Sequence, residues 1–221
     1  MATHKKTSVL GEISGKLGGA VFLNSKGVGI VRSTPETPPQ SKISKGQLKE
    51  RSLFATVQDF VSSMPIDLIN IGYQLPRKSK RSHSNEALSY HKNNAVIGKA
   101  PDFEIDLTKV KFTKPINLTA GGWNVRLDIS IHGLAVVRWE LNAFPQKHTQ
   151  PDDLAHVIFY DENQKRYFLQ LPIRRDQLSF SFSEPSKRRP APERNMHCWI
   201  FFSSADEKLI SYTEYLGNFI L

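Results

Sequence analysis

Sulfur and long apolar runs are what this chain most lacks. Cys198 is the only cysteine among 221 residues, which excludes an intrachain disulfide and any cysteine-built metal cage. No stretch approaches the about 18 consecutive apolar residues of a membrane-crossing helix, so no membrane span is expected. The opening residues Met1-Ala2-Thr3-His4-Lys5-Lys6-Thr7 carry two lysines with no apolar run behind them. An ordinary secretory signal is therefore not expected. Synthesis in the cytoplasm follows, with a virion or an exported assembly left open as destinations.

Catalytic signatures are missing too. The seven histidines show no HExxH motif and no i, i+4 pair, so no metal site is expected. Gly11-Glu12-Ile13-Ser14-Gly15-Lys16-Leu17 superficially resembles a phosphate loop. It is one residue short between its glycines, and Leu17 stands where a Mg²⁺-binding hydroxyl is needed. His197 and Cys198 are adjacent, but consecutive residues of a strand point to opposite faces, so they are not nucleophile and base. Asp152-Asp153 and Asp161-Glu162 sit in turn-like stretches and are expected to be solvated. Trp123, Trp139 and Trp199 all fall in strand patterns, where core packing is a better reading than sugar stacking. No cofactor and no enzymatic activity are expected.

What is present is positive charge, unevenly placed. The net charge is +9. Residues 1–50 hold eight basic and three acidic groups, residues 76–101 six and one, and residues 185–194 four and one. The remainder is therefore mildly acidic. Such a distribution suits basic segments meeting the acidic body of a neighbouring copy, or nucleic acid or another acidic surface. The candidate anion-binding residues are Arg77, Lys78, Lys80, Arg81, Lys187, Arg188 and Arg189.

Residues 1–40 are Gly-rich and basic and too poor in apolar residues to build a core. Two strand-like runs, 20–24 and 28–33, flank Ser25-Lys26-Gly27, a hairpin connector. Pro35, Pro38 and Pro39 then impose an extended linker. Ser44-Lys45-Gly46-Gln47 has the form of a capping box, and Leu53, Phe54, Val57, Phe60, Val61 and Met64 make one helical stripe ending at Pro65. A second helix is predicted over 85–96, with Gly98 as its stop.

Beyond Phe103 the apolar period becomes two. Trp123, Val125, Leu127, Ile129 and Ile131 are predicted to share one strand face. Further strands are predicted over 134–141, 154–160, 166–171, 177–182, 197–203 and 209–216. Residues 197–202 are apolar on both faces, as a central strand would be. This spacing predicts an immunoglobulin- or fibronectin-III-like antiparallel β-sandwich. The expected organisation is a β-hairpin arm and Pro-rich linker over 1–43, a small helical segment over 44–102 and the sandwich over 103–221.

Several short motifs point to a family. They are Gly15-Lys16-Leu17-Gly18-Gly19 leading to Val31-Arg32-Ser33-Thr34-Pro35, then Gln47-Leu48 and Ile69-Asn70-Ile71-Gly72-Tyr73. Asn93-Asn94-Ala95-Val96-Ile97-Gly98 and Pro101-Asp102-Phe103-Glu104-Ile105-Asp106 follow. Through nearly its whole length the chain resembles an uncharacterised domain-of-unknown-function family of similar size, common in Bacteroidetes genomes and with phage-encoded relatives. That resemblance implies no activity and transfers no functional residue.

The functional expectation is a non-enzymatic structural protein that self-assembles head to tail, as a filament or virion component. The arm, through Ala20, Val21, Phe22, Leu23, Val28, Ile30, Val31 and Arg32, would donate strands to a neighbouring subunit. The alternatives are a basic nucleic-acid-binding accessory protein and a surface or carbohydrate-binding module. The last requires exposed aromatics, which tryptophan burial decides.

Overall fold

The structure of the chain, a computed structural model, describes residues 2–4, 14–25, 28–36, 43–130, 134–183 and 194–220. Two compact units divide it, Met1–Gln47 and Leu48–Leu221. The fold is mainly β, with several antiparallel sheets and three α-helices.

The first unit holds strands β1 (Ala2–His4), β2 (Gly15–Leu17), β3 (Ala20–Ser25) and β4 (Val28–Ser33), which form one antiparallel sheet in the order β1-β4-β3-β2. Gly18-Gly19 joins β2 to β3, and Gly18 takes φ +55°, the left-handed turn conformation that favours glycine. The expected hairpin of β3 with β4 is present, but Ser25 pairs with Val28. Ser25 thus ends a strand, and Lys26 and Gly27 of the expected connector lie outside the described residues.

Helix α1 (Lys45–Ser63) starts where the capping box places it: Ser44 N–H donates to Gln47 Oε1 at 3.0 Å, and Gln47 N–H to Ser44 Oγ at 3.2 Å. Its stripe buries Val57, Phe60 and Val61, with Met64 just beyond it, while Phe54 stays exposed. Helix α2 (Ile66–Gly72) follows Pro65, and α3 (His83–Asn94) is capped by Ser82, whose side chain accepts from Asn85 N–H. Gly98 is not the stop of α3. It lies in β5 (Val96–Lys99), which pairs with β6 (Asp102–Ile105). With φ +90°, a Cβ there would fall 2.4 Å from Asp102 O, so the glycine serves a tight ribbon.

The body is built on a five-stranded antiparallel sheet. Its centre is β9 (Leu154–Asp161) beside β13 (Asn195–Ser203), flanked by β10 (Arg166–Leu169), β11 (Ile173–Arg174) and β14 (Glu214–Ile220). Alternation along the two central strands sends successive side chains to opposite faces. Ile158, Tyr160, Trp199 and Phe201 pack with Val57, Phe60, Leu68, Ile69 and Ala87 of the helices. Ala155, Val157, Phe159, Cys198, Ile200 and Phe202 pack the other way. There they meet Val137 and Trp139 of β8 (Ala135–Glu140) and Phe180 and Phe182 of β12 (Ser179–Phe182), strands that form a second sheet, order β12-β8-β7, with β7 (Trp123–Ile129). Each large side chain so buried contributes roughly 1.5–3 kcal/mol. The helices and the strands share a core, so the expected division at residue 102 does not separate two folding units.

Candidate functional site

In the arm, β4 is paired with β3 over Val28–Ser33 and with β1 at Gly29–Val31, while β3 is paired with β2 at Ala20–Phe22. Both strands are therefore interior, and most of their backbone hydrogen-bonding capacity is used within the sheet. The free outer edge on the β3 side belongs to β2. Cross-strand register places Val21, Leu23, Val28 and Ile30 on one face with Lys16 and Arg32, and Ala20, Phe22 and Val31 on the other. Leu17 is 72% exposed.

Arg77, Lys78, Lys80 and Arg81 lie on the exposed connection between α2 and α3. Arg81 is engaged within the chain: its Nη1 lies 3.2 Å from Glu86 Oε2, and Lys114 pairs with the same carboxylate. Lys114, and after it Arg81, hold the Glu86 carboxyl below its ordinary range. Lys187, Arg188 and Arg189 lie outside the described residues.

A side-chain constellation that sequence reading passed over stands where β7 begins and β8 ends. Trp123 is opposite Glu140 in the β7–β8 register, and that register shifts between Trp123 and Arg126. Asn124, at φ +49°, makes the shift, a left-handed conformation that asparagine tolerates better than most residues. The alternation expected of Trp123, Val125, Leu127 and Ile129 is thus broken at its first step, and Ile131 lies outside the described residues. Val125 and Leu127 pack inward, whereas Trp123 is 54% exposed; Trp139 and Trp199 are 2% and 1% exposed. Asn124 Nδ2 donates to Glu140 Oε1 at 2.6 Å.

Trp123 and Glu140 line a cavity of about 320 Å³ together with Gly121, Gly122 and Arg175. Gly122 is needed there, because a Cβ would lie 2.2 Å from Val125 Cγ2 and 3.0 Å from the Phe202 ring. Arg175 is buried. Its Nη1 donates to Gly121 O at 2.8 Å and its Nη2 to Ala120 O at 2.7 Å, and its guanidinium lies 4.2 Å from the Phe202 ring centroid. Asp153 is its counter-ion at 3.2 Å and is 1% exposed. Of the four carboxylates expected in solvent, Asp152 and Glu162 are exposed, but Asp153 is a core group and so is Asp161, which lies beside Arg194 at 3.6 Å. Turn-like sequence flanks both, but each begins or ends a buried strand.

His197 and Cys198 face opposite layers, as their adjacency requires. His197 stacks near Trp199 and its Nδ1 lies 2.9 Å from Tyr215 Oη, while Cys198 sits in the cluster between the two sheets. Burial pushes the Cys198 thiol well up. Among the described residues, no three His, Cys, Asp or Glu side chains stand together as a metal site. Among the described residues no helix is long and apolar enough to cross a membrane.

The chain belongs to a family of unknown function, DUF6266, whose model matches residues 12–217. The match covers the helices and nearly all the strands. No curated protein matches the chain.

Proposed function

We propose that this protein is a non-enzymatic structural component that associates with further copies of itself through its N-terminal arm. One observation carries the reading. Four strands of three to six residues fold into a sheet of their own that presents apolar side chains on both faces. Apolar side chains gathered on a face of so small a sheet favour burial, and another protein surface would supply it.

A second copy is the partner the charge pattern favours. Val21, Leu23, Val28 and Ile30 share a face edged by Lys16 and Arg32, and residues 1–50 are strongly basic while the body outside the basic segments is mildly acidic. Complementary charge would guide the docking, and aliphatic burial would hold it. Because β3 and β4 are already paired on both sides, donation would run through the outer edge of β2 or through the aliphatic face. Contacts of arm to body are head to tail and propagate into rings or filaments. For the body we read the orders β12-β8-β7 and β10-β9-β13-β14 as an immunoglobulin- or fibronectin-III-like pair of sheets, with β13 in the place of strand F.

The double substitution Leu23→Asp with Ile30→Asp tests the reading. Dispersal to a monomer on size-exclusion chromatography, with the body's thermal melt unchanged, is expected. Particles of unaltered size would refute the role of that face.

A further inference from the structure

We infer that the cavity between Trp123 and Arg175 is a binding site for a neutral saccharide. It is independent of the arm, lying wholly within residues 120–175 of the body.

An exposed tryptophan beside polar side chains is the starting observation. Trp123 is turned out of its strand pattern by the left-handed Asn124, at the cost of its burial. The other two tryptophans of the chain show where an indole of this fold otherwise goes, into the core. An indole left half in water at a cavity mouth offers a flat, electron-rich face. Sugar rings present a matching face of polarised C–H groups.

Polar groups around the ring match the rest of a sugar. Asn142, Gln146 and Gln150 line the same cavity, and each amide offers donors and an acceptor, the mixture that hydroxyls need. Two polar atoms of the wall, Thr149 Oγ1 and Arg175 Nε, are buried without a hydrogen-bond partner. Buried polar groups are ordinarily satisfied, so two unpaired ones in residues of this lining mark a region whose hydrogen bonding is incomplete. Leu141, Pro145 and Pro151 supply the apolar lining usual for small-molecule sites.

Charge excludes the competing ligands. Arg175 is the lining cation, and its two Nη atoms are committed to Gly121 O, Ala120 O and the Asp153 carboxylate. It has little left for a phosphate, and the Glu140 carboxylate at the rim repels anions. A quaternary ammonium calls for a cage of several aromatic rings, whereas Trp123 is the aromatic residue of this lining. The ligand is bound and not cleaved: glycoside hydrolysis uses two carboxyl groups flanking the bond, and Glu140 is the carboxylate that lines the cavity.

Intrinsic fluorescence of the full chain gives the test, because Trp123 is the solvent-exposed indole of the three. The probes are cellohexaose, maltohexaose, chitohexaose, xylohexaose and mannohexaose, each titrated alone. At least one should quench or blue-shift the exposed component, with binding confirmed by calorimetry. Trp123→Ala should weaken that binding about tenfold or more with its thermal melt unchanged, Trp123→Tyr should retain most of it, and Gln146→Ala should weaken it. The inference is overturned if none of the five binds, if Trp123→Ala binds as the parent does, or if tetramethylammonium or inositol hexaphosphate displaces the sugar.

Discussion

The Arg175 guanidinium and the Asp153 carboxylate meet at 3.2 Å inside the body, with Asp153 further fixed by the Gln150 N–H at 3.3 Å. This pair ties the turn after β11 to the loop before β9, and through Gly121 and Ala120 it fixes the entry to β7. Removing one partner of a buried pair leaves the other as an uncompensated charge, at about 3–5 kcal/mol. Arg175→Met should lower the urea-unfolding free energy by that amount. A loss under about 1 kcal/mol would mean that the pair does not organise this end of the body.

Gly72 closes α2 against the backbone at Phe112. A Cβ at Gly72 would fall 1.9 Å from Phe112 O, and Gly72 O accepts from Lys114 N–H at 2.9 Å. Neither backbone has a flexible side chain to move aside. Gly72→Ala is expected to cost at least the about 1–3 kcal/mol of an overpacked core and to loosen the helical layer. Near-ultraviolet circular dichroism and a thermal melt check this; a melt matching the parent's would contradict the close approach.

His91 and His156 set an acid limit. Burial holds both imidazoles down to about 4, against about 6.5 in an unfolded chain. Between those values the unfolded state binds protons that the folded state does not, so stability is full above about pH 6.5 and falls as pH drops toward 4. The loss is on the order of 3 kcal/mol for each histidine. Burial pushes the Asp153 and Glu214 carboxyls up, and these work in the opposite direction. Comparison with His156→Gln isolates one imidazole: its melting temperature should fall less between pH 7 and pH 4.5 than the parent's. Equal falls would contradict the assignment.

Local signals made much of the fold legible. The Ser44–Gln47 box fixes the start of α1, a period of two locates β8 and β12, and short continuous apolar runs locate β9 and β13, because each is a short-range pattern with one physical cause. Helix α2 escaped notice because seven residues after a proline are too few for a helical period. Gly98 has the same appearance whether it caps a helix or bends a ribbon; only the approach of Asp102 decides. The sequence shows that β9 and β13 are apolar on both faces, but not that helices cover one face and a second sheet the other. The cavity was the least legible feature. Trp123 continues an alternating pattern that the left-handed Asn124 breaks, and Arg175 and Asp153 are brought together from segments with no shared motif.

Sedimentation-velocity mass of the full chain beside the same chain lacking residues 1–34 tests the central claim most directly. Every residue of both apolar clusters lies beyond residue 52, so the shortened chain should still fold, with an unchanged far-ultraviolet spectrum of its body. The account predicts a concentration-dependent oligomer for the full chain and a monomer for the shortened one. The same number of subunits for the two, whether monomeric or assembled, would contradict it.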